Sequence, residues 1–504
     1  MMNTKITVLQ DKTIVFALTF LLLSFCYIAF LVMDPRCGWV LPESLIYKSY
    51  IVHNVPLKDV LKGTFNNQVF ENSDRITRPL SSLFEIIDTH FRAWLWQFIR
   101  PVASLSLTFI FSLLIGPILY YKFLKNMAIR PAIAVFATAI MLLNPGSLSL
   151  IVMMFRPAKA MMNFWLIFSL YFSSLIYLKD KEVKPSLQLS SLMLIVGAGI
   201  LLGFLFDETA VVIVTAIALL CPSVFMGSTQ RVLGFALVPV ILLLLYLIVF
   251  PAMAVHYGYS KPDLLAYQAI SAPNLPSLSD FISNYFANFK DISIESLGMF
   301  NPYKVTLLTQ KILYAALMIT AVIFIGRYVI SGKTIKSVSF PVRNLVIRSF
   351  LLLLVLCLFH TFILDTVSIR TDGRVWGPYY YGAYFGIFWG ILIAAVGEAS
   401  AQIKNRVSRD YMLLMSLMCL GLMTAFPYTN FFYHRFHYDP YYPPLIEFYY
   451  RGDFNRFEAK DFKMFGDKRL LTDAWHASQK GEAPVYKREF AWIPVEMGIP
   501  TAWH

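Results

Sequence analysis

The sequence predicts an all-α protein: a polytopic bundle of about eleven transmembrane helices with extracytoplasmic loops and an extracytoplasmic tail. Three observations predict it. Of the 504 residues, 58% are hydrophobic and 14% are charged, whereas soluble domains carry roughly 25% charged and about 45–50% apolar residues. The charges are clustered, and the runs between them approach the ~20 apolar residues that a spanning helix needs. The short loops that would face the cytoplasm are rich in Lys and Arg. Because the runs are continuous and do not alternate as barrel strands do, the backbone must satisfy its hydrogen bonds in lipid as helices.

The first run, 13–33, is too long for a signal-peptide core and lacks a small-residue cleavage site, so it reads as an uncleaved helix. Further runs are 101–124, 131–143, 160–178, 189–206, 210–226, 232–254, 312–330, 345–364, 379–396 and 411–427. The run at 131–143 is short, and Pro145-Gly146 interrupts an apolar stretch that continues to Phe155, as a bent or re-entrant segment would.

Short loops set the direction. Lys122, Lys125 and Arg130 follow the second run, and Lys179, Lys181 and Lys184 the fourth. Arg231 follows the sixth, Lys333, Lys336 and Arg343 the eighth, and Lys404, Arg406 and Arg409 the tenth. All lie on one side if the N-terminus is inside, and that side is then cytoplasmic. Residues 1–427 form the membrane domain. Residues 34–100 and 255–311 are outer loops, and 428–504 is an outer C-terminal segment. Within the first loop, Leu80, Leu83, Phe84, Ile87, Phe91, Trp94, Leu95 and Phe98 recur at helical spacing, an amphipathic pattern suited to the membrane interface.

The net charge of +13 comes from those loops, and no basic block stands apart from the apolar runs, so nucleic acid is not an expected partner. The five cysteines contain no C-x-x-C pair or disulfide framework. His256, His360, His434 and His437 have no metal-ligand spacing with acids or cysteines, and no phosphate loop or dinucleotide fingerprint is present. Neither a metal nor a cofactor is expected.

Four clusters of polar residues fall on the outer face. The first contains Asp34, Glu43, Asp74, Arg75 and Arg78-Pro79, and it reads equally as a solvated loop with ordinary charges. The second contains Asn144-Pro145 and Arg156 between apolar stretches. A charge there lines a cavity, meets a partner or snorkels to the interface. The third is Asp207-Glu208 in the tight turn between the fifth and sixth runs. This pair either keeps two helix ends wet or, since adjacent acids repel, answers to a cationic partner. The fourth contains Arg370, Asp372, Arg374 and Pro378, followed by Tyr379-Tyr380-Tyr381, a pattern that an aromatic interface belt also gives.

In order, these clusters resemble the GT-C glycosyltransferases, most of all the branch that holds the protein O-mannosyltransferases and their bacterial relatives. The resemblance rests on Glu43-Ser44-Leu45-Ile46, Val52-His53-Asn54-Val55 and Arg78-Pro79-Leu80 in the first outer loop. It continues through Asn144-Pro145, Phe155-Arg156-Pro157, Asp207-Glu208-Thr209 and Arg374-Val375-Trp376-Gly377-Pro378. It covers about the first 215 residues and then the Arg374 region. The chain departs from the pattern in having Glu43 where two adjacent Asp are usual, Asn144 where His is usual, and no tetratricopeptide repeats in its tail.

The resemblance implies transfer of a sugar from a polyprenyl-phosphate donor to an extracytoplasmic glycan, lipid or protein acceptor, at a bacterial inner membrane. Glu43, with Asp34 and Asp74 as alternatives, is the implied general base. Asn54, Arg78, Asn144, Arg156, Asp207, Glu208 and Arg374 are the implied substrate contacts, with Arg78, Arg156 and Arg374 converging on one cavity. A carboxylate can take the acceptor hydroxyl proton, and guanidinium groups hold the charge that develops on phosphate. A transporter or flippase for lipid-linked saccharides, or a polymerase or ligase, would use similar residues. No internal repeat of the transporter kind is present.

Overall fold

The computed structural model describes residues 12–33, 79–96, 98, 106–144, 147, 157–179, 187–226, 229–257, 277–296, 308–330, 338–367 and 383–437. No strand occurs among the described residues. The helices, in chain order, are α1 (Lys12–Met33), α2 (Pro79–Trp96), α3 (Leu107–Asn126), α4 (Pro131–Leu143), α5 (Pro157–Lys179) and α6 (Leu187–Phe206). They continue with α7 (Val211–Leu220), α8 (229–256), α9 (Leu278–Ser296), α10 (Leu308–Ile330), α11 (Phe340–Val367), α12 (Ala383–Lys404) and α13 (Arg409–His437).

Each of the eleven apolar runs is helical over most of its described residues, with 210–226 broken at Cys221-Pro222 into α7 and a short helix, Ser223–Met226. Seven helices among the described residues are long and apolar enough to cross a bilayer: α1, α3, α5, α6, α8, α11 and α12. α4 and α7 are apolar but shorter. α13 continues ten residues beyond Pro427, where the apolar run ends.

α4 is the axis of the bundle. Every residue from Ala132 to Leu143 is buried, so this helix touches protein on all sides. It packs against α1, α3, α12 and α13. α5 packs on α3 and α6, and α11 on α12. Glycines let α12 approach closely. A Cβ on Gly390 would come within 2.5 Å of the Tyr120 hydroxyl, which donates a 2.8 Å hydrogen bond to the carbonyl of Ile387.

Two of these seven helices carry a π-helical stretch, Ile110–Ile115 in α3 and Leu245–Val249 in α8. Each ends just before a proline, Pro117 or Pro251. Proline has no N–H and its ring crowds the carbonyl four residues earlier. Widening the turn accommodates both defects without breaking the helix.

Polar pairs tie the helices together at one end. The Arg130 Nε donates to Glu398 across 3.2 Å and its backbone N–H donates to the same carboxylate at 2.8 Å. Arg327 meets Asp410 at 2.7 Å, Asn126 donates to Ser174 at 2.9 Å, and the Ser339 N–H donates to Gln402 at 2.8 Å. This is the end where Lys122, Lys125, Arg343, Lys404, Arg406 and Arg409 lie. Its two tight turns pass through left-handed residues, Ala128 (φ 65°) and Asn405 (φ 57°). The alternation of basic loops read from the sequence is thus an alternation of helix direction.

α2 is the amphipathic helix that the first loop promised. Leu80 and Phe84 pack on the bundle, while Ile87, Trp94 and the following Phe98 are exposed. Phe84 rests against Phe206 and Phe111 with ring centroids 5.6 Å and 6.2 Å away. α2 therefore covers the end of the bundle opposite the basic loops.

Candidate functional site

Local chemistry stops α4 at the non-basic end. Asn144 precedes Pro145, and a residue before proline is driven out of the helical region. Asn144 is accordingly extended (φ −58°, ψ 129°). Its side-chain oxygen accepts a 3.3 Å hydrogen bond from the Ser147 N–H, the turn that Asn side chains favour. The side chain is fully buried and presses on Gly386 of α12, where a Cβ would come within 2.3 Å of it.

The turn between α6 and α7 is set by Asp207. This residue is extended, and its carboxylate accepts from the Thr209 N–H at 2.9 Å, capping the following turn. The same oxygen accepts a 2.8 Å bond from Lys159 Nζ, which also donates to the Thr209 hydroxyl at 3.0 Å. Lys159 and Asp207 are 1% and 0% exposed. The cationic partner that Asp207-Glu208 asked for is thus Lys159, one turn into α5.

His360 Nε2 is hydrogen-bonded to the Tyr384 hydroxyl, and both residues are buried. Asn144, Lys159, Asp207, Thr209, His360 and Tyr384 lie toward the non-basic ends of α4, α5, the α6–α7 turn, α11 and α12, and together they make up one polar layer. Among the described residues, no group of three His, Cys, Asp or Glu side chains is arranged to hold a metal.

The depth of this layer follows from helix geometry. Arg130 to Asn144, Ser174 to Lys159 and Glu398 to Tyr384 are each 14 or 15 residues apart. At about 1.5 Å per residue the polar layer sits about 21–23 Å from the basic end. A buried ion pair set into an apolar bundle is costly, and such a residue is a functional-site candidate by default.

A cavity of about 20 Å³ adjoins the layer between α3, α4, α5 and α12, enough for one water-sized group. Ser112, Ser147 and Asn163 contribute its polar lining, with Leu142, Phe164 and Ile387 among the apolar walls. The buried amide oxygen of Asn163 meets no hydrogen-bond donor among the described residues. Ser112 belongs to the π stretch of α3, and π turns recur at functional sites.

Of the residues nominated from the sequence, Asn144 and Asp207 fall together in this layer. Glu208 follows Asp207 in a 3₁₀ turn, and its side chain lies outside the described residues. So do Asp34, Glu43, Asn54, Asp74, Arg78, Arg156 and Arg374, and with them the expected convergence of the three arginines. Sequence reading missed Lys159 because the apolar run was begun at Ala160, which left the lysine in the loop. It weighed His360 only as a metal ligand. An ionisable residue inside or at the edge of an apolar run was the available signal in both cases.

No protein-family model, no curated protein and no solved structure matches the chain.

Proposed function

We propose that this chain is a GT-C-like membrane glycosyltransferase that moves a sugar from a polyprenyl-phosphate donor to an extracytoplasmic acceptor. The observation that carries the reading is the buried polar layer of Lys159, Asp207, Asn144, His360 and Tyr384, sunk in an apolar bundle beside a cavity. A substrate reaching a polar site at that depth has to bring its own apolar anchor. A polyprenyl-phosphate sugar does so, because its tail lies among lipid chains while its head reaches the protein.

In this reading all eleven apolar runs cross the inner membrane of a bacterium, with the basic end cytoplasmic and the polar layer toward the outer leaflet. A carboxylate of the first outer loop, Glu43 before Asp34 and Asp74, takes the proton of the acceptor hydroxyl. The acceptor oxygen bonds to the anomeric carbon as the bond to the phosphate oxygen breaks, with inversion at that carbon. Arg78, Arg156 and Arg374 hold the departing polyprenyl phosphate. Asn54, Asn144, Asp207 and Glu208 orient the sugar, and the Lys159 pair fixes Asp207.

The test is a proteoliposome assay with a panel of labelled polyprenyl-phosphate sugars, coupled to mass spectrometry of surface glycans and glycolipids from a deletion strain. Labelled sugar should leave the lipid for a product that the deletion strain lacks. Movement of intact lipid-linked sugar across the vesicle without transfer would replace this reading with a transporter or flippase. Growth in the length of a lipid-linked glycan, with no transfer from a polyprenyl-phosphate monosaccharide, would replace it with a polymerase or ligase.

A further inference from the structure

The segment between α8 and α10 reads from the sequence as a polar outer loop, yet 19 of its residues form α9. Successive residues of a helix are turned by about 100°, and around α9 the side chains divide into three sectors. Tyr285, Asn288 and Phe289 occupy the sector facing the bundle. The Tyr285 hydroxyl donates to the Leu354 carbonyl of α11 at 3.3 Å, and Asn288 donates to the Thr361 hydroxyl at 3.2 Å. Ile282 and Phe286 form a second sector, joined at its edge by Leu278 in the first turn at i, i+4 and i+8, and the three are 47%, 64% and 75% exposed. Ser279, Asp280, Ser283, Ala287 and Lys290 form the third and are also exposed.

A helix in water beside a protein needs only two sectors, one packed and one polar. A helix wholly in lipid has no use for an exposed Asp280 and Lys290. Three sectors, in the order protein, apolar and polar, match a helix held sideways against a bundle at the boundary between water and hydrocarbon. The contacts on α11 agree, because Leu354 and Thr361 belong to its membrane-length stretch, Phe340–Thr361. Val355 and Leu358, exposed on the same turns of α11, continue the apolar surface.

We propose that α9 is an interfacial helix whose Leu278, Ile282 and Phe286 are inserted among the acyl chains of the outer leaflet. Its polar sector faces water and its inner sector clamps the outer half of α11. The occupant of the apolar stripe is lipid. A second copy of the chain would leave the ordered boundary between the apolar and polar sectors unexplained. Because Thr361 neighbours His360, lipid anchoring of α9 also steadies the polar layer.

Nitroxide labelling tests this in the full-length protein. Single cysteines replace Leu278, Ile282, Phe286, Ser283 or Ala287, in a background with Cys26 and Cys37 changed to serine. Each labelled protein is reconstituted in phosphatidylglycerol and phosphatidylethanolamine vesicles, and its collision with oxygen and with a water-soluble nickel chelate is measured. Oxygen should dominate at 278, 282 and 286, and the nickel chelate at 283 and 287. Equal nickel access at 282 and 283 would overturn the proposal in favour of a water-exposed helix. Protection of 282 and 286 from both reagents would overturn it in favour of a protein partner. All five positions are exposed, so the labels leave the packed face of α9 intact.

Discussion

An ammonium and a carboxylate buried side by side have both lost water, and each is tolerable because of the other. Lys159 and Asp207 are in that position, with Thr209 bonded to both. Lys159→Met should leave Asp207 charged and uncompensated, and Asp207→Asn should do the same to Lys159. Each single substitution should cost about 3–5 kcal/mol, whereas Lys159→Met with Asp207→Asn should recover most of that loss. Unfolding of the purified proteins in detergent reads the stabilities. The proteoliposome assay then separates the two roles of the pair. A stable double variant that has lost sugar transfer places the pair in the chemistry, and one that transfers at full rate reduces it to a cap and a structural ion pair. The hydrogen bond that the Thr209 N–H donates to the Asp207 carboxylate is a helix cap in either case, which is why adjacent acids at 207 and 208 could be read from the sequence in two ways.

At the scale of the element, close packing holds the site. α12 crosses α4 where Gly386 faces Asn144, and no Cβ fits between them. Gly386→Ala should push the Asn144 side chain away from its bond to the Ser147 N–H and cost about 1–3 kcal/mol, as overpacking does. Unfolding in detergent measures that loss, and an unchanged midpoint would mean that α12 shifts freely. Which elements were legible in advance follows from how they bury apolar area. The long runs of α1, α5, α6 and α12 are apolar on every side, so length alone revealed them. α2 was legible because its apolar residues repeat at helical spacing on one face. α9 was not, since splitting its surface into packed, apolar and polar sectors removes the single stripe that periodicity detects. Asn144 and Asp207 were found because helix breakers and adjacent acids stand out in an apolar sequence. Tyr384 was invisible, because an aromatic at a helix end is also what an interface belt provides.

For the whole molecule the orientation decides whether a site at the non-basic end can see an extracytoplasmic acceptor. Short loops with Lys and Arg stay in the cytoplasm. The structure gathers Lys122, Lys125, Arg130, Arg343, Lys404, Arg406 and Arg409 around the ends of α3, α4, α11, α12 and α13, tied by the Arg130–Glu398 and Arg327–Asp410 pairs. That arrangement gives a set of antiparallel helices one basic end, which is the physical asymmetry that insertion reads. A phosphatase reporter, active only outside the cytoplasm, should therefore be active when fused after His437 and inactive when inserted at Asn405 in the α12–α13 turn. A fluorescent protein that matures only in the cytoplasm should give the reverse at the two positions. Activity of both reporters on the same side would mean that α13 does not cross, and the count of eleven spans would fall. A consistent inversion of both would put the polar layer of Lys159, Asp207, Asn144 and His360 against the cytoplasmic leaflet. The acceptor would then have to be cytoplasmic, and a lipid-linked sugar displayed on the outer surface could not be the donor.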